Sequence, residues 1–362
     1  MLQRTPLYDR HQAAGAKLVD FAGWEMPLNY GSQIKEHEQV RGAAGVFDVS
    51  HMGVVDVTGP GARNFLRRVL ANDAGRLKAP GQAFYSCMLN DQAGIIDDLI
   101  VYYLSEGRYR TVVNAARRAE DLTWLKQHTA GYDVRIRLRA DAAVIAVQGP
   151  KAQACLGKAV DARLESRLAG IKPFRVVETG DWLIARTGYT GEDGFEIILP
   201  GRSALDLWDH LTAAGAVPCG LGARDSLRLE AGLCLYGQDM DTTTTPLESA
   251  LGWTVAWKPE DRDFIGRVAL ESQRARGVVR RLMGLVLDAR GVLRHGQALQ
   301  SDLGGEGEVT SGGFSPVLGR SIGLARIPAD DDGPWTVDIR GRALPVRLVK
   351  PPFVRNGHAL VD

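Results

Sequence analysis

The sequence predicts an α+β protein in two parts, a duplicated α+β region over residues 1–277 and a small C-terminal β-barrel domain over residues 278–362. Three observations predict it. The chain has 362 residues, more than one hydrophobic core usually holds. Two strand–Gly-Pro–helix segments recur, starting near residues 55 and 145. After residue 278 helical periodicity gives way to short strand-length apolar runs.

The first copy reads VDVTGPGARNFL over residues 55–66 and the second IAVQGPKAQACL over residues 145–156. In each, an alternating apolar run meets Gly-Pro and then small or apolar residues at helical spacing. Pro60 and Pro150 fall near the first helical turn, where a missing N–H is harmless. Phe65, Leu66, Val69 and Leu70 continue the stripe of the first helix, and Cys155 and Leu156 that of the second. Each copy later reaches a turn containing glycine and acid beside a strand, GIIDDLIVYYL at 94–104 and GYTGEDGFEIILP at 188–200. Pseudo-symmetry of this kind sets two comparable acidic loops around a central cavity. In the tail, RLMGLVLD (281–288), SIGLARIP (321–328), WTVDIRG (335–341) and ALPVRLVK (343–350) are separated by Gly and Pro at strand spacing. That pattern fits a closed barrel that covers its own edges.

Charge and composition narrow the function. Lys plus Arg number 44 against 43 Asp plus Glu, which gives no reason to expect nucleic acid or another polyanion as partner. The longest apolar stretches are strand-sized, so no membrane span is expected. Arg4, Asp9 and Arg10 interrupt the N-terminus where a signal peptide needs an apolar core, so the expected location is cytoplasmic. Cys87, Cys155, Cys219 and Cys234 are spread out, without the close pairs of a zinc site or redox dithiol, and read as reduced structural residues. The seven histidines lack metal-ligand spacing, and no serine sits in a Gly-x-Ser-x-Gly elbow. His51, in DVSHMG, reads as a structural histidine with its hydrogen bonds satisfied.

Three segments carry residues whose type does not match their surroundings. Asp97 and Asp98 adjoin a strongly apolar strand, and alternation sends them to opposite faces. Periodicity alone leaves open whether they serve the turn or chemistry. GYTGEDGFEI is too acidic to cradle phosphate, and its Glu196 lies among Phe195, Ile197 and Ile198, where a buried carboxylate needs a partner. CGLGARDSLRLEAG opens with Gly-x-Gly but lacks the third glycine of a dinucleotide fingerprint. Its Arg224 would stand in a first helical turn against the helix dipole, which calls for a ligand or a local acid. Tyr85, Tyr102, Tyr103, Tyr189 and Tyr236 lie near these loops and are candidates to line a flat heteroaromatic ligand.

Taken in order, DFAGWEMPLNYGSQIKEHEQVRGAAGVFDVSHMG, GIIDDLIVYY, TGYTGEDGFEI, GLGARDSLRLEAGLCLYGQDMD, DFIGRVAL, VTSGGFSPVLG and KPPFVRNG resemble the glycine cleavage T-protein family, from about Thr5 to about Gly357. The resemblance implies a folate-binding region followed by the barrel. It implies an enzyme, an aminomethyltransferase that moves a one-carbon unit from aminomethyl-dihydrolipoyl H-protein to tetrahydrofolate. The partner implied is the lipoylated H-protein of the glycine cleavage system; the folate is a co-substrate, and neither metal nor flavin is implied. By position in these motifs Asp97 is the catalytic aspartate, and Glu196 and Arg224 contact folate. Arg355 is the residue for its anionic tail, and Met52, Tyr85, Asn114, Tyr189 and Tyr236 fall in pocket segments. A non-catalytic folate-binding regulatory protein of this fold carries a Lys-Gly-Cys motif where this chain has LCLYGQDMD. A stand-alone folate-dependent demethylase is the other alternative.

Overall fold

The computed structural model describes residues 1–362, which divide into two compact units. The first comprises Met1–Phe65, Gly75–Phe84 and Leu99–Leu227, the second Leu66–Ala74, Tyr85–Asp98 and Arg228–Asp362.

The first unit is built on a six-stranded sheet in the order Val176–Thr179, Trp182–Ala185, Gly194–Pro200, Ala142–Gln148, Gly45–Asp48, Val217–Pro218. Its neighbours are antiparallel except the last pair. Both faces are covered, so the strand Gly194–Pro200 is buried throughout. Ile145, Val147, Phe195, Ile197 and Leu199 point to one face and pack with Leu156, Leu164, Leu207 and Trp208. Those residues come from the helices Ala152–Ala159, Ala162–Leu168 and Gly201–Ala213. Val144, Ala146, Leu183 and Ile198 point to the other face and pack with Val54, Tyr102, Leu104 and Val112. Glu196 shares the parity of Ile198, and the ladder sets it across from Ala146 and Ala185. Two-residue periodicity therefore aims this carboxylate away from the helices.

A second sheet runs in the order Gln82–Leu89, Ile95–Ser105, Arg108–Val113, Gly53–Thr58, Arg135–Leu138. The predicted duplication is visible in its turns. The strand Gly53–Thr58 leads into the helix Ala62–Val69, and Ala142–Gln148 into Ala152–Ala159. Gly59 and Gly149 take φ of 126° and 123°, a conformation that favours glycine. A Cβ at either would run into a backbone carbonyl, of Asp133 at Gly59 and of Ala43 and Val40 at Gly149. The same hydrogen bond, Ala62 N to Gly59 O and Ala152 N to Gly149 O, then starts each helix.

In the second unit the tail forms a closed barrel in the order Arg280–Leu287, Arg320–Pro328, Glu306–Ser315, Ala298–Ser301, Trp335–Asp338, Ala343–Val349. Pairing of Ala343–Val349 with Arg280–Leu287 completes it and leaves no open edge. Leu285, Leu287, Val309, Ala325, Ile327, Trp335 and Val337 fill the interior. Within this unit Arg228 and Asp239 form a buried ion pair at 2.9 Å. Ser311 hydrogen-bonds both, and Thr310 donates to Asp239 at 2.5 Å, so both members of the pair are further hydrogen-bonded. No helix of the chain is long and apolar enough to cross a membrane.

Candidate functional site

Glu196 is 8% exposed and accepts one hydrogen bond, from the Thr187 hydroxyl to its Oε2 at 2.7 Å. Thr187 lies two residues beyond Ala185, the cross-strand partner of Glu196, so the register itself brings the hydroxyl alongside. Tyr102 on the facing sheet is near enough that, after burial, the Glu196 charge is the main influence raising its phenol. Arg224, in the helix Leu221–Glu230, places its guanidinium 4.9 Å from the centre of the Tyr189 ring, a cation–π distance. Its Nη1 is buried and has no hydrogen-bond partner. Burial pushes the Arg224 guanidinium below its ordinary value, and the Glu196 carboxylate opposes that shift. No salt bridge to Arg224 is formed, and Glu196 is the acid whose charge acts on it. The arrangement is a carboxylate with one oxygen unclaimed, a guanidinium with an unmatched donor and an aromatic face: a complement to a flat, neutral, amide-like ring.

The acidic loop that precedes Glu196 is consumed by structure. Arg41 donates to Glu192 at 2.6 Å and to the Thr190 carbonyl at 2.8 Å. Arg186 forms a two-pronged pair with Asp193 at 2.7 and 2.6 Å. Gln148 reaches into the loop, accepting from the Thr190 hydroxyl at 2.9 Å and donating to the Thr187 carbonyl at 3.1 Å. Gly188 and Gly194 leave room for its side chain. These bonds hold Thr187, Tyr189 and Glu196 in place.

The turn from Gly45–Asp48 to Gly53–Thr58 is fixed by Asp48. Its carboxylate accepts from Thr5 at 2.6 Å and from the Ser50 N–H at 2.9 Å, and pairs with His11 at 2.9 Å. Those partners outweigh burial and hold Asp48 below the usual carboxylate range. His51 sits at the tip of this turn, 5% exposed, edge-on to Phe21 at 5.5 Å. Burial, together with Arg224 and against Asp48, pushes its imidazole down to about 4. Its Nδ1 is buried without a partner, contrary to the satisfied structural histidine expected from sequence. Met52 follows, and the ladder pairing Gly53 with Val113 brings it beside Asn114, which ends the strand Arg108–Val113. Met52 also lines a cavity of about 500 Å3 with Arg4, Trp24, Arg118 and Arg139, which Glu196, Tyr189 and Arg224 do not line.

In the second unit Asp97 is fully buried near the start of the strand Ile95–Ser105, and Asp98 is half-buried, as alternation requires. Asn90 accepts from the N–H groups of Gln92 and Gly94 through its side chain, which sets the preceding turn. The Ile95 N–H donates to the carbonyls of Asp241 and Thr244, both at 3.0 Å. Tyr236 donates to the Ile95 carbonyl at 3.2 Å, two residues from Asp97. Tyr85 donates to Asp98 at 2.8 Å and stacks on the exposed Trp253 at 5.6 Å. Burial, reinforced by Asp98, raises both the Tyr85 phenol and the Cys87 thiol, which makes Cys87 a poor nucleophile. Arg355 is exposed in the short hairpin of Val354–Arg355 with His358–Ala359. All four cysteines are free and buried. Thr187, Trp253 and His51 were not read from sequence as site neighbours; only strand register reveals the first, and the others have no local signal.

Known proteins agree with this architecture. Residues 7–259 match the GCVT N-terminal domain model and residues 280–355 the glycine cleavage T-protein C-terminal barrel domain model. An aminomethyltransferase of Nitrosococcus oceani is 55% identical over 361 residues, covering 100% of this chain and 97% of that one. One from Pseudomonas syringae pv. tomato is 54% identical, with 100% of both chains covered. The crystal structure of glycine cleavage system aminomethyltransferase T from Bartonella henselae superposes with a TM-score of 0.92 at 38% identity, over 98% of this chain and 99% of that one. On full-length similarity and matching fold, the chain belongs to the glycine cleavage T-protein family.

Proposed function

We propose that this aminomethyltransferase uses tetrahydrofolate as acceptor and the aminomethyl group on the dihydrolipoyl arm of H-protein as donor, in the cytoplasm. The observation that carries the reading is the pairing of Glu196, with one oxygen unclaimed, and Arg224, with a buried donor unmatched. The 2-amino and ring N3–H groups of a reduced pterin form a donor pair suited to Glu196, and its 4-oxo group accepts from Arg224. Tyr189 beside Arg224 adds an aromatic surface.

In the reaction the carbon–sulfur and carbon–nitrogen bonds of the aminomethyl group break, and the carbon bonds to N5 and N10 of the folate. The two protons released from those nitrogens end on ammonia and on the lipoyl thiol. Positive charge of iminium character develops on the migrating carbon, and a carboxylate such as that of Asp97 is the group suited to stabilise it. Holding N5 within about 3 to 3.5 Å of the carbon supplies the rest of the acceleration.

The test is an assay with tetrahydrofolate and aminomethyl-loaded H-protein. Equal amounts of ammonia and 5,10-methylenetetrahydrofolate are expected. Transfer from small methylated amines or sulfur compounds, with none from the loaded carrier, would instead favour a stand-alone demethylase.

A further inference from the structure

The cavity of about 500 Å3 in the first unit lies at the end of the central ladder of the six-stranded sheet. Ala142 and Pro200 pair there and both line it, four residues along the strands from the pair of Ala146 and Glu196. At about 3.3 Å per residue that is roughly 13 Å, so the cavity is a separate place from the Glu196 carboxylate.

Four guanidiniums line it, those of Arg4, Arg118, Arg139 and Arg202, against one carboxylate, that of Asp141. Three of the four already have acid partners. Arg4 donates to Glu25 at 2.9 Å, Arg139 to Asp141 at 3.3 Å and Arg202 to Asp181 at 3.5 Å. The hydroxyls of the lining are engaged as well: Thr5 donates to Asp48 at 2.6 Å, and Ser50 exchanges hydrogen bonds with the Val144 backbone at 3.0 and 3.3 Å. Arg118 differs. It is half-buried, and its guanidinium stands 5.8 Å from the centre of the Trp24 ring, at the far end of cation–π range. Burial pushes it below its ordinary value, and no carboxylate opposes the shift. A half-buried cation without a counter-charge is costly to keep, and one that opens on a cavity is completed by an anion from solution.

The rest of the lining sets what kind of anion. Trp24, Met52, Pro6 and Pro200 give the cavity apolar walls around the guanidinium. One unmatched cation calls for one anionic group, and the planar fork of arginine suits a carboxylate. A cavity of this volume takes a small organic molecule rather than a bare ion, and an indole face favours a flat one.

We propose that this cavity binds a small monocarboxylic acid with a flat, apolar body, its carboxylate paired with Arg118 and its body against Trp24 and Met52. The site does not depend on the reading of Glu196 and Arg224 as a pterin clamp.

The probes are 3-phenylpropionate and its uncharged counterpart 3-phenylpropanol, with inorganic phosphate as charge without an apolar body. Each is titrated into full-length protein carrying 13C in its methionine methyl groups, and the Met52 methyl resonance reports occupancy. Arg118→Gln and Arg118→Lys are measured alongside, with Tm checked for each. The acid is expected to shift the Met52 resonance saturably and to bind at least about tenfold more tightly than the alcohol or phosphate, the worth of a hydrogen bond to a charged group. Arg118→Gln should weaken the acid about tenfold and change the alcohol by less than about twofold. Arg118→Lys keeps the charge and loses the fork, so its affinity for the acid should fall between. No saturable shift, equal affinity for acid and alcohol, phosphate as tight as the acid, or an Arg118→Gln protein that binds the acid like the wild type each overturns the proposal. If Arg118→Gln does not fold, the preference for acid over alcohol in the wild-type protein decides: about tenfold or more supports the site, and less overturns it.

Discussion

Glu196 spends one oxygen on Thr187 and leaves the other without a hydrogen bond, whereas Glu192 and Asp193, a few residues earlier, are paired with arginines. The difference is one of environment. A loop acid beside a guanidinium is neutralised locally, but an acid in mid-strand sees only what the register sets opposite it. Asp97 is likewise an acid at a strand position that faces inward. For Asp97→Asn the expected outcome is a fall in kcat on the order of a hundredfold or more, with the Kd for tetrahydrofolate within about threefold. Single-turnover kinetics beside equilibrium binding check it, and near-normal turnover would remove Asp97 from the mechanism. His51 provides a pH signature. Its folded-state value of about 4 lies below the ordinary imidazole value of 6.5, so the unfolded chain takes up a proton first as pH falls. The stability it contributes is whole above about pH 6.5 and is lost as pH falls toward 4, up to about 3 kcal/mol. Urea unfolding at pH 7 and pH 4.5 should show a smaller difference in His51→Asn than in the wild-type protein. An identical difference in both would mean the ring titrates normally.

At the scale of elements, the sheet Gly194–Pro200 and its neighbours is a two-sided wall. Phe195 and Ile197 bind it to the helices, and Glu196 and Ile198 face the second sheet. The alternation that separates those roles was readable in GFEIILP, and so was the anomaly of a carboxylate within it. What covers each face was not readable, because it depends on strands and helices distant in sequence. Phe195→Ala should cost about 3 to 5 kcal/mol, since the side chain is fully buried between sheet and helices. Chemical denaturation measures this, and a cost below about 1 kcal/mol would mean that the helix face is loosely packed. Elements with weak signals were the ones missed. The barrel strand Glu306–Ser315 reads EGEVTSGGFS, rich in glycine, and carries a bulge between Val309 and Ser311, so its alternation is broken. The runs at 281–288 and 321–328 are uninterrupted and emerge as the barrel strands Arg280–Leu287 and Arg320–Pro328.

For the whole molecule, the duplication was legible because its turns need the same chemistry twice. Gly59 and Gly149 share a backbone conformation, and each lies against a carbonyl that excludes a side chain. The barrel was legible as a change of period and its closure was not, since closure rests on the pairing of Ala343–Val349 with Arg280–Leu287. The family assignment accounts for the order of motifs along the chain, and the geometry around Glu196 and Arg224 accounts for why those residue types stand where they do. The most direct test of that geometry is the Kd for tetrahydrofolate in Glu196→Gln, Arg224→Gln and the double variant. Each single change should weaken binding about 10- to 100-fold, the range for a hydrogen bond to a charged group, and the double variant should lose more than either. Tetrahydrofolate binding as tight in all three folded variants as in the wild-type protein would contradict the account.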